Sequence, residues 1–371
     1  MNDKQILLFV MHELSVGGAE RVVTNLVNHL DREKFEIHLC LFKKKGALVE
    51  TILEDVIIHD LKASRVITSG HKLFALILKL KPDIVFSSIT HVNLLMGVFI
   101  PFLRPLSRHT RFITREVNIP SVRAKYLPKS KKLDRFYKRV IHHFDVIVAQ
   151  SEYMKTDIQK SYSLDKNKVL VINNPLNIEG IQKVLPEEDT QEVLFEANKM
   201  NILAVGNLRR QKGFDILLTV MPLLHEKFHL TIIGEGKERG LLEEQIDRLG
   251  ISHKVRLLGF QDNPYKYMNK ADIMVLSSRY EGFPNVILEA NACGLFTLAF
   301  ECPGVSDEII QNDINGFLVD FEDVSALALA LEKYVDVVHN KENIVETTRR
   351  YKVENIVKEY EKVFSIQSEG A

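Results

Sequence analysis

Cysteine is scarce in this sequence: Cys40, Cys293 and Cys302 are the three among 371 residues. Three thiols cannot build a disulfide framework, and no CxxC pair is present, which removes the usual zinc ligand sets. They read as small buried apolar residues, and their scarcity fits a reducing compartment. Long apolar runs are missing as well. The longest, Leu94 to Leu103, is about half of what spans a bilayer, and the run Ile6–Met11 is too short for a signal-peptide core and has no small-residue cleavage site after it. A cytoplasmic location follows as an expectation, with any membrane contact peripheral. No Asp-x-Asp sequence offers a divalent cation a diphosphate site. Net charge is absent too, since 49 Lys/Arg balance 49 Asp/Glu. The balance hides an asymmetry: Met1 to Pro175 carries 28 basic against 17 acidic residues, leaving 21 against 32 for the remainder.

What is present is a strand–helix alternation that runs twice. Gln5–Met11 is a near-continuous apolar run, as expected of a strand buried on both faces. Gly17 and Gly18 follow, then Ala19–Leu30 with helical spacing. Phe35–Leu41, Asp83–Ser87, Arg111–Thr114, Val146–Ala149 and Val169–Ile172 read as further strands. The polar, acidic stretch Leu176–Lys199 reads as a linker. The pattern then restarts with Asn201–Val205, His229–Ile233, Val255–Leu258, Ile273–Leu276 and Phe296–Ala299. Alternating strands and helices predict an α/β protein with two parallel sheets of Rossmann type, whose loops at the strands' carboxyl ends meet ligands. The expected domains are 1–185 and 196–351, with the final helix, within 352–371, packing back on the first.

The segment Ser277–Ala290, SSRYEGFPNVILEA, carries the sharpest chemistry. A strand ends at Ser277, a loop turns through Gly282 and Pro284, and a helix starts near Asn285. A helix N-terminus attracts phosphate through its free N–H groups and dipole. Glu281 in the loop can accept hydrogen bonds from sugar hydroxyls, and Glu289 inside the helix can hold ribose hydroxyls. The plainer alternative makes Glu281 a cap and Glu289 an ordinary ion-pair member. Upstream, Arg209, Arg210 and Lys212 offer cations to a diphosphate, whose charge grows as a glycosidic bond breaks. The pair Gly17-Gly18 lets backbone approach a ligand, but GGAERV is not the GxGxxG dinucleotide fingerprint, which disfavours a dehydrogenase.

The segment resembles the E-x7-E signature of the retaining glycosyltransferases of family 4. Three further segments match that family in order: Gly17-Gly18-Ala19-Glu20, the run 205–215 (VGNLRRQKGFD) and the run 232–260. The resemblance implies a GT-B fold, two facing Rossmann-like domains with parallel sheets, the first on the acceptor side and the second binding a nucleotide sugar. It implies catalytic roles for Glu281, Lys212 and Glu116. Donor contacts would come from Gly17, Gly18, Asn207, Arg209, Lys212, Gly282, Phe283, Pro284, Asn285 and Glu289. Acceptor or sugar contacts would come from His91, Arg115 and Asn118, facing the cleft with Glu116. No cofactor and no metal are implied. Two departures stand out. Asn207 replaces a common Arg, so Arg209 or Arg210 is expected to compensate. Val117 replaces a common His after Glu116, so no imidazole serves the transfer there.

The activity implied is transfer of a sugar from a UDP-sugar, with an N-acetylhexosamine preferred, to a lipid-linked or cell-surface glycan such as one on polyprenyl diphosphate. The alternatives are a GDP-mannose enzyme, a nucleotide-sugar epimerase of the same architecture, and a sugar-binding protein of the periplasmic kind. Finally, from Arg104 to Val140 there are 12 Lys/Arg against two acids. Lys125, Lys129, Lys131, Lys132, Arg135, Lys138 and Arg139 interleave there with Tyr126, Leu127, Leu133, Phe136 and Tyr137. That mixture suits an anionic membrane surface at the inner face of the cytoplasmic membrane; no nucleic-acid module accompanies it.

Overall fold

A computed structural model describes residues 4–15, 17–63, 66, 69–126, 131–184, 195, 198–305, 307–334, 337 and 339–365. The chain divides into two compact units, residues 1–175 with 353–371, and residues 176–352.

Among the described residues, the first unit is built on a seven-stranded sheet: β1 (Gln5–Met11), β2 (Phe35–Leu41), β3 (Ile57–Asp60), β4 (Ile84–Ser88), β5 (Arg111–Arg115), β6 (Val146–Ala149) and β7 (Val169–Val171). All pair in parallel, in the order β3-β2-β1-β4-β5-β6-β7. The centre is β1, whose residues Leu7 to Met11 are fully buried, as a strand covered on both faces requires. The amphipathic helix Gly18–His29 lays Val22, Val23, Leu26 and Val27 on one face of the sheet. Helix Val353–Ser365 joins this layer, with Ile356, Tyr360 and Phe364 in the core. The Phe364 ring meets Phe9, Phe35 and Phe86 edge-on, at centroid distances of 6.3, 6.1 and 5.9 Å. Arg111 Nη1 donates to the carbonyl of Val363 at 2.8 Å, tying the helix end to β5.

Among its described residues the second unit carries a six-stranded parallel sheet: β8 (Met200–Val205), β9 (Phe228–Ile233), β10 (Val255–Gly259), β11 (Ile273–Leu276), β12 (Thr297–Phe300) and β13 (Gly316–Val319), ordered β10-β9-β8-β11-β12-β13. The reading of 176–199 as a linker needs correction at its start. Ile178–Val184 is helical, and Leu176, Ile178 and Ile181 are buried in a cluster with Tyr267, Met268 and Ile287 of this unit. Apolar burial draws the segment out of the connection; most of 185–197 lies outside the described residues. In each sheet the strand order reverses once, between β1 and β4 and between β8 and β11. The crevice at the carboxyl ends of such a strand pair is where open α/β sheets bind ligands.

Candidate active site

In the second unit the reversal between β8 and β11 brings two loops together. The first, after β8, holds a short turn Arg210–Lys212 that ends on Gly213, with φ +63°. A Cβ at Gly213 would strike the carbonyl oxygen of Ser277. Glycine is therefore required there twice, for its backbone angle and for the close passage of the second loop. That second loop follows β11 and leads into helix Asn285–Ala292.

Lys212 Nζ donates to Glu281 Oε1 at 2.6 Å. Ser278 Oγ donates to the same oxygen at 2.5 Å, and the Glu281 N–H donates to the Pro303 carbonyl at 2.8 Å. The Glu281 side chain is 7% exposed and that of Lys212 18%, so the pair is largely withdrawn from water. The aliphatic stem of Lys212 crosses Gly206, where a Cβ would lie 3.1 Å from its Cε. Burial, then the charge of Glu281, pushes up the thiol pKa of neighbouring Cys302; all three cysteines are free and buried. The helix start at Asn285 has no side-chain cap. Among the described residues no group of three or more His, Cys, Asp or Glu could hold a metal ion. Fixed cationic and N–H donors beside one oriented carboxylate can hold a diphosphate and a polyhydroxylated group side by side.

Around this pair the other expected donor residues divide. Gly282, Asn285 and Glu289 are half-buried, and Asn207, Arg209 and Arg210 are exposed. Phe283 and Pro284 are buried. The Phe283 ring packs at 6.0 Å from the Tyr351 ring in the core, because an aromatic ring at a loop base gains most by leaving water. Sequence reasoning missed Ser277, Ser278, Asp215 and Arg279. The first signals itself only as a strand end, and the last two are ordinary charges until the loops meet.

In the first unit the side chains of Glu116 and Arg115 are buried, 2% and 1% exposed. Glu116 Oε1 accepts from the Tyr137 hydroxyl and, at 3.1 Å, from Asn93 Nδ2. Gln150 Nε2 donates to the Glu116 carbonyl at 2.6 Å. Burial raises the Glu116 carboxyl pKa against the lowering effect of those donors. Arg115 donates to Asn174 Oδ1 and, at 3.4 Å, to Ser88 Oγ. These contacts join the ends of β4 and β5 to the residues packed around them.

Gly17 and Gly18 stand where β1 gives way to helix Gly18–His29, but the space beside Gly17 is taken by the Glu20 carboxylate. Burial raises the pKa of Glu20, and its charge complements the helix start. His91 is exposed in the first turn after β4, edge-on to His12 at 5.3 Å; partial burial, then His12, lowers its pKa. Just before it, Ile89 holds φ +78°, a costly angle for a β-branched residue. Asn118 is exposed and donates to Thr90 Oγ1 at 3.0 Å.

Comparison with known proteins accounts for both units. The family described as Glycosyl transferases group 1 matches residues 186–351, and Glycosyltransferase Family 4 matches residues 16–179. A Campylobacter jejuni protein named N-acetylgalactosamine-N,N'-diacetylbacillosaminyl-diphospho-undecaprenol 4-alpha-N-acetylgalactosaminyltransferase is 28% identical over 346 residues, 90% of each chain. An uncharacterized glycosyltransferase of Haemophilus influenzae is 26% identical over 96% of this chain and 99% of its own. The crystal structure of Anabaena HepE in complex with UDP superimposes with a TM-score of 0.75 at 19% identity, over 97% of this chain and 99% of that one.

Proposed function

Because this chain belongs to the family 4 glycosyltransferases and has their GT-B fold, we propose that it transfers an N-acetylhexosamine, with retention, from a UDP-sugar to a glycan on polyprenyl diphosphate. The observation that carries the donor half of this reading is the Lys212–Glu281 pair at the β8/β11 reversal, beside the uncapped start of helix Asn285–Ala292. The UDP bound by Anabaena HepE and the diphospho-undecaprenol acceptor named for the Campylobacter relative support the choice of substrates.

In this reading the diphosphate lies against the helix start and Lys212. The free oxygen of Glu281 receives a sugar hydroxyl while Ser278 and Lys212 hold the other oxygen, and Glu289 receives the ribose hydroxyls. The bond from the anomeric carbon to the β-phosphate oxygen breaks, with its electron pair leaving on the diphosphate. The acceptor oxygen bonds the same face of that carbon and passes its proton to a departing phosphate oxygen. Charge grows on the diphosphate as the bond breaks, where Lys212 and the helix dipole stabilise it most. Glu116, buried and bonded to Tyr137, has no part in this step.

A thermal-shift panel of UDP-, GDP-, ADP- and CMP-sugars tests the donor, since a ligand that binds the folded state raises Tm by mass action. UDP-N-acetylhexosamines are expected to give the largest shift, and mass spectrometry is expected to show one added residue on a polyprenyl-diphosphate glycan. A shift confined to GDP-mannose would overturn the UDP assignment. Donor turnover without any acceptor product would favour an epimerase.

A further inference from the structure

Arg279, two residues before Glu281, is bonded through its side chain and its backbone. Its guanidinium grips Asp215 with two parallel bonds, Nη1 to Oδ1 at 2.7 Å and Nη2 to Oδ2 at 2.8 Å. Nη1 also donates to the Arg210 carbonyl at 2.7 Å, and Nε lies 3.4 Å from Glu322 Oε1. The Arg279 backbone N–H donates to the Gln211 carbonyl at 2.7 Å. Gln211 Nε2 returns a bond to the Tyr280 carbonyl at 3.0 Å, and Ser277 Oγ donates to the Lys212 carbonyl at 3.0 Å. The contacts with Arg210, Gln211 and Lys212 span from the loop that carries Lys212 to the loop that carries Glu281, and the Asp215 bonds reach the first turn of helix Phe214–Val220, which follows the Lys212 loop. The Arg279 side chain is 11% exposed and that of Asp215 46%, so the pair is withdrawn from water on the arginine side only.

We infer that Arg279 and Asp215 are a positioning pair that sets the distance between Lys212 and Glu281. The inference rests on the donor-site reading above and adds a role that neither residue's own position would suggest. The chemistry favours arginine at 279. Its planar fork fits a carboxylate bidentately and still reaches a carbonyl, which the single ammonium of lysine cannot do. Asp215 answers at the helix start that follows Gly213. Burial works to raise its pKa, but the Arg279 bonds and charge, together with the backbone N–H groups of Asp215 and Ile216, outweigh that and hold it below the usual carboxylate value. With the clamp open, the loops remain attached to their strands while the Lys212 ammonium loses its fixed place. A misplacement of about 1 Å at a reacting centre costs on the order of 100-fold in rate.

The experiment measures two things on full-length protein: the rate at which an amine-reactive reagent acylates Lys212, followed by peptide mass spectrometry, and kcat and KM with the UDP-sugar selected by the thermal-shift panel. The variants are Arg279→Gln, Arg279→Lys, Asp215→Asn and the double variant Arg279→Gln/Asp215→Asn. Opening the clamp is expected to raise Lys212 labelling several-fold and to lower kcat by about 10- to 100-fold, with KM changed less. The double variant is expected to be no worse than the worse single one, since both changes break one contact, and Arg279→Lys to lie between. Unchanged labelling, kcat within twofold of wild type, or multiplying effects in the double variant would overturn the inference. Where Arg279→Gln fails to fold, the near-isosteric Asp215→Asn carries the test. Lys212→Ala and Glu281→Ala run beside these: full turnover in both would overturn the donor-site reading, which separates the two failures.

Discussion

Lys212 Nζ and Glu281 Oε1 lie 2.6 Å apart although 69 residues separate them in the chain. The contact exists because β8 and β11, which pair in parallel through Ile202–Ile273 and Leu203–Met274, deliver their following loops to the same end of the sheet. Two residues expected to touch the donor separately thus act on each other first. The Lys212 ammonium orients the carboxylate, and the carboxylate fixes the ammonium.

Removing either partner should therefore cost both rate and stability. Glu281→Gln is expected to lower kcat by about 100- to 1,000-fold, the range for losing one preorganised transition-state contact. Lys212→Ala should lose activity to a similar degree and also lower Tm, because it leaves a buried carboxylate with less compensation. The double variant should be less destabilised than the sum of the singles. Steady-state kinetics and thermal denaturation check this; strictly additive losses of stability would contradict a direct pair.

Turnover is expected to survive EDTA. In the proposed reading a diphosphate meets the Lys212 ammonium and a helix start, with Arg209 and Arg210 exposed in the same loop, and among the described residues no group of three or more His, Cys, Asp or Glu could hold a metal ion. Such fixed positive groups can do what a bridging cation does elsewhere. Nucleotide release would be followed with and without chelator; complete loss with rescue by Mg²⁺ or Mn²⁺ would refute the expectation.

Glu116 supplies a pH prediction of opposite character. Its folded pKa is raised above the ordinary 4.5 by burial, so the folded state holds the proton more tightly than the unfolded chain. This group's contribution is most favourable below pH 4.5 and declines as pH rises toward the folded value. Glu116→Gln keeps an acceptor for Tyr137 and Asn93 without the charge. It should hold Tm at or above wild type at neutral pH, flatten the decline above pH 4.5, and leave kcat within a few-fold. Glu116→Ala should lower stability by about 1–3 kcal/mol by orphaning its buried donors. A large kcat loss in a well-folded Glu116→Gln would restore it to the chemistry.

The strand pattern was legible wherever strands are buried on both faces. Gln5–Met11, Phe35–Leu41, Val146–Ala149 and Ile273–Leu276 match the observed strands in full. The two strands not foreseen, Ile57–Asp60 and Gly316–Val319, are four residues long and sit at sheet edges, where one neighbour is missing and side chains stay partly exposed. A motif marked Glu281 and Lys212, but not the Ser278 bond, the Arg279–Asp215 clamp or the Glu116–Tyr137 bond. Those depend on which loops the sheet order brings together, and no local spacing encodes that. Tyr137 shows the limit well: it sits in a basic, aromatic run that reads as a surface, yet it turns inward, as Val140 does on the same helix.

That basic run still makes the strongest prediction about location, in a narrower form. Residues Leu127–Ser130 and the side chains of Lys131 and Lys132 lie outside the described residues. Several of the other cations are engaged within the fold: Arg111 with the Val363 carbonyl, Arg115 with Asn174, Arg104 with Asp145 and Lys138 with the Ser161 carbonyl. Arg123 lies 3.3 Å from Asp134. Lys125, Arg135 and Arg139 remain exposed, and so do two large apolar side chains one turn apart on helix Lys131–Val140, Leu133 at 42% and Phe136 at 43%. Phe102 and Leu106 are exposed at the end of the neighbouring helix Thr90–Leu103, which packs against this one. No helix among the described residues is long and apolar enough to cross a membrane. Each exposed cation near an anionic leaflet contributes roughly 1 kcal/mol, screened over about 8 Å at physiological ionic strength, while inserted Leu133 and Phe136 would resist salt. Vesicle co-sedimentation should therefore show binding to anionic but not neutral vesicles, reduced but not abolished by salt. Lys125→Gln/Arg135→Gln/Arg139→Gln should remove the salt-sensitive part and Leu133→Ser/Phe136→Ser the salt-resistant part. Equal binding by all three proteins, or equal binding to neutral lipid, would place the acceptor in solution instead.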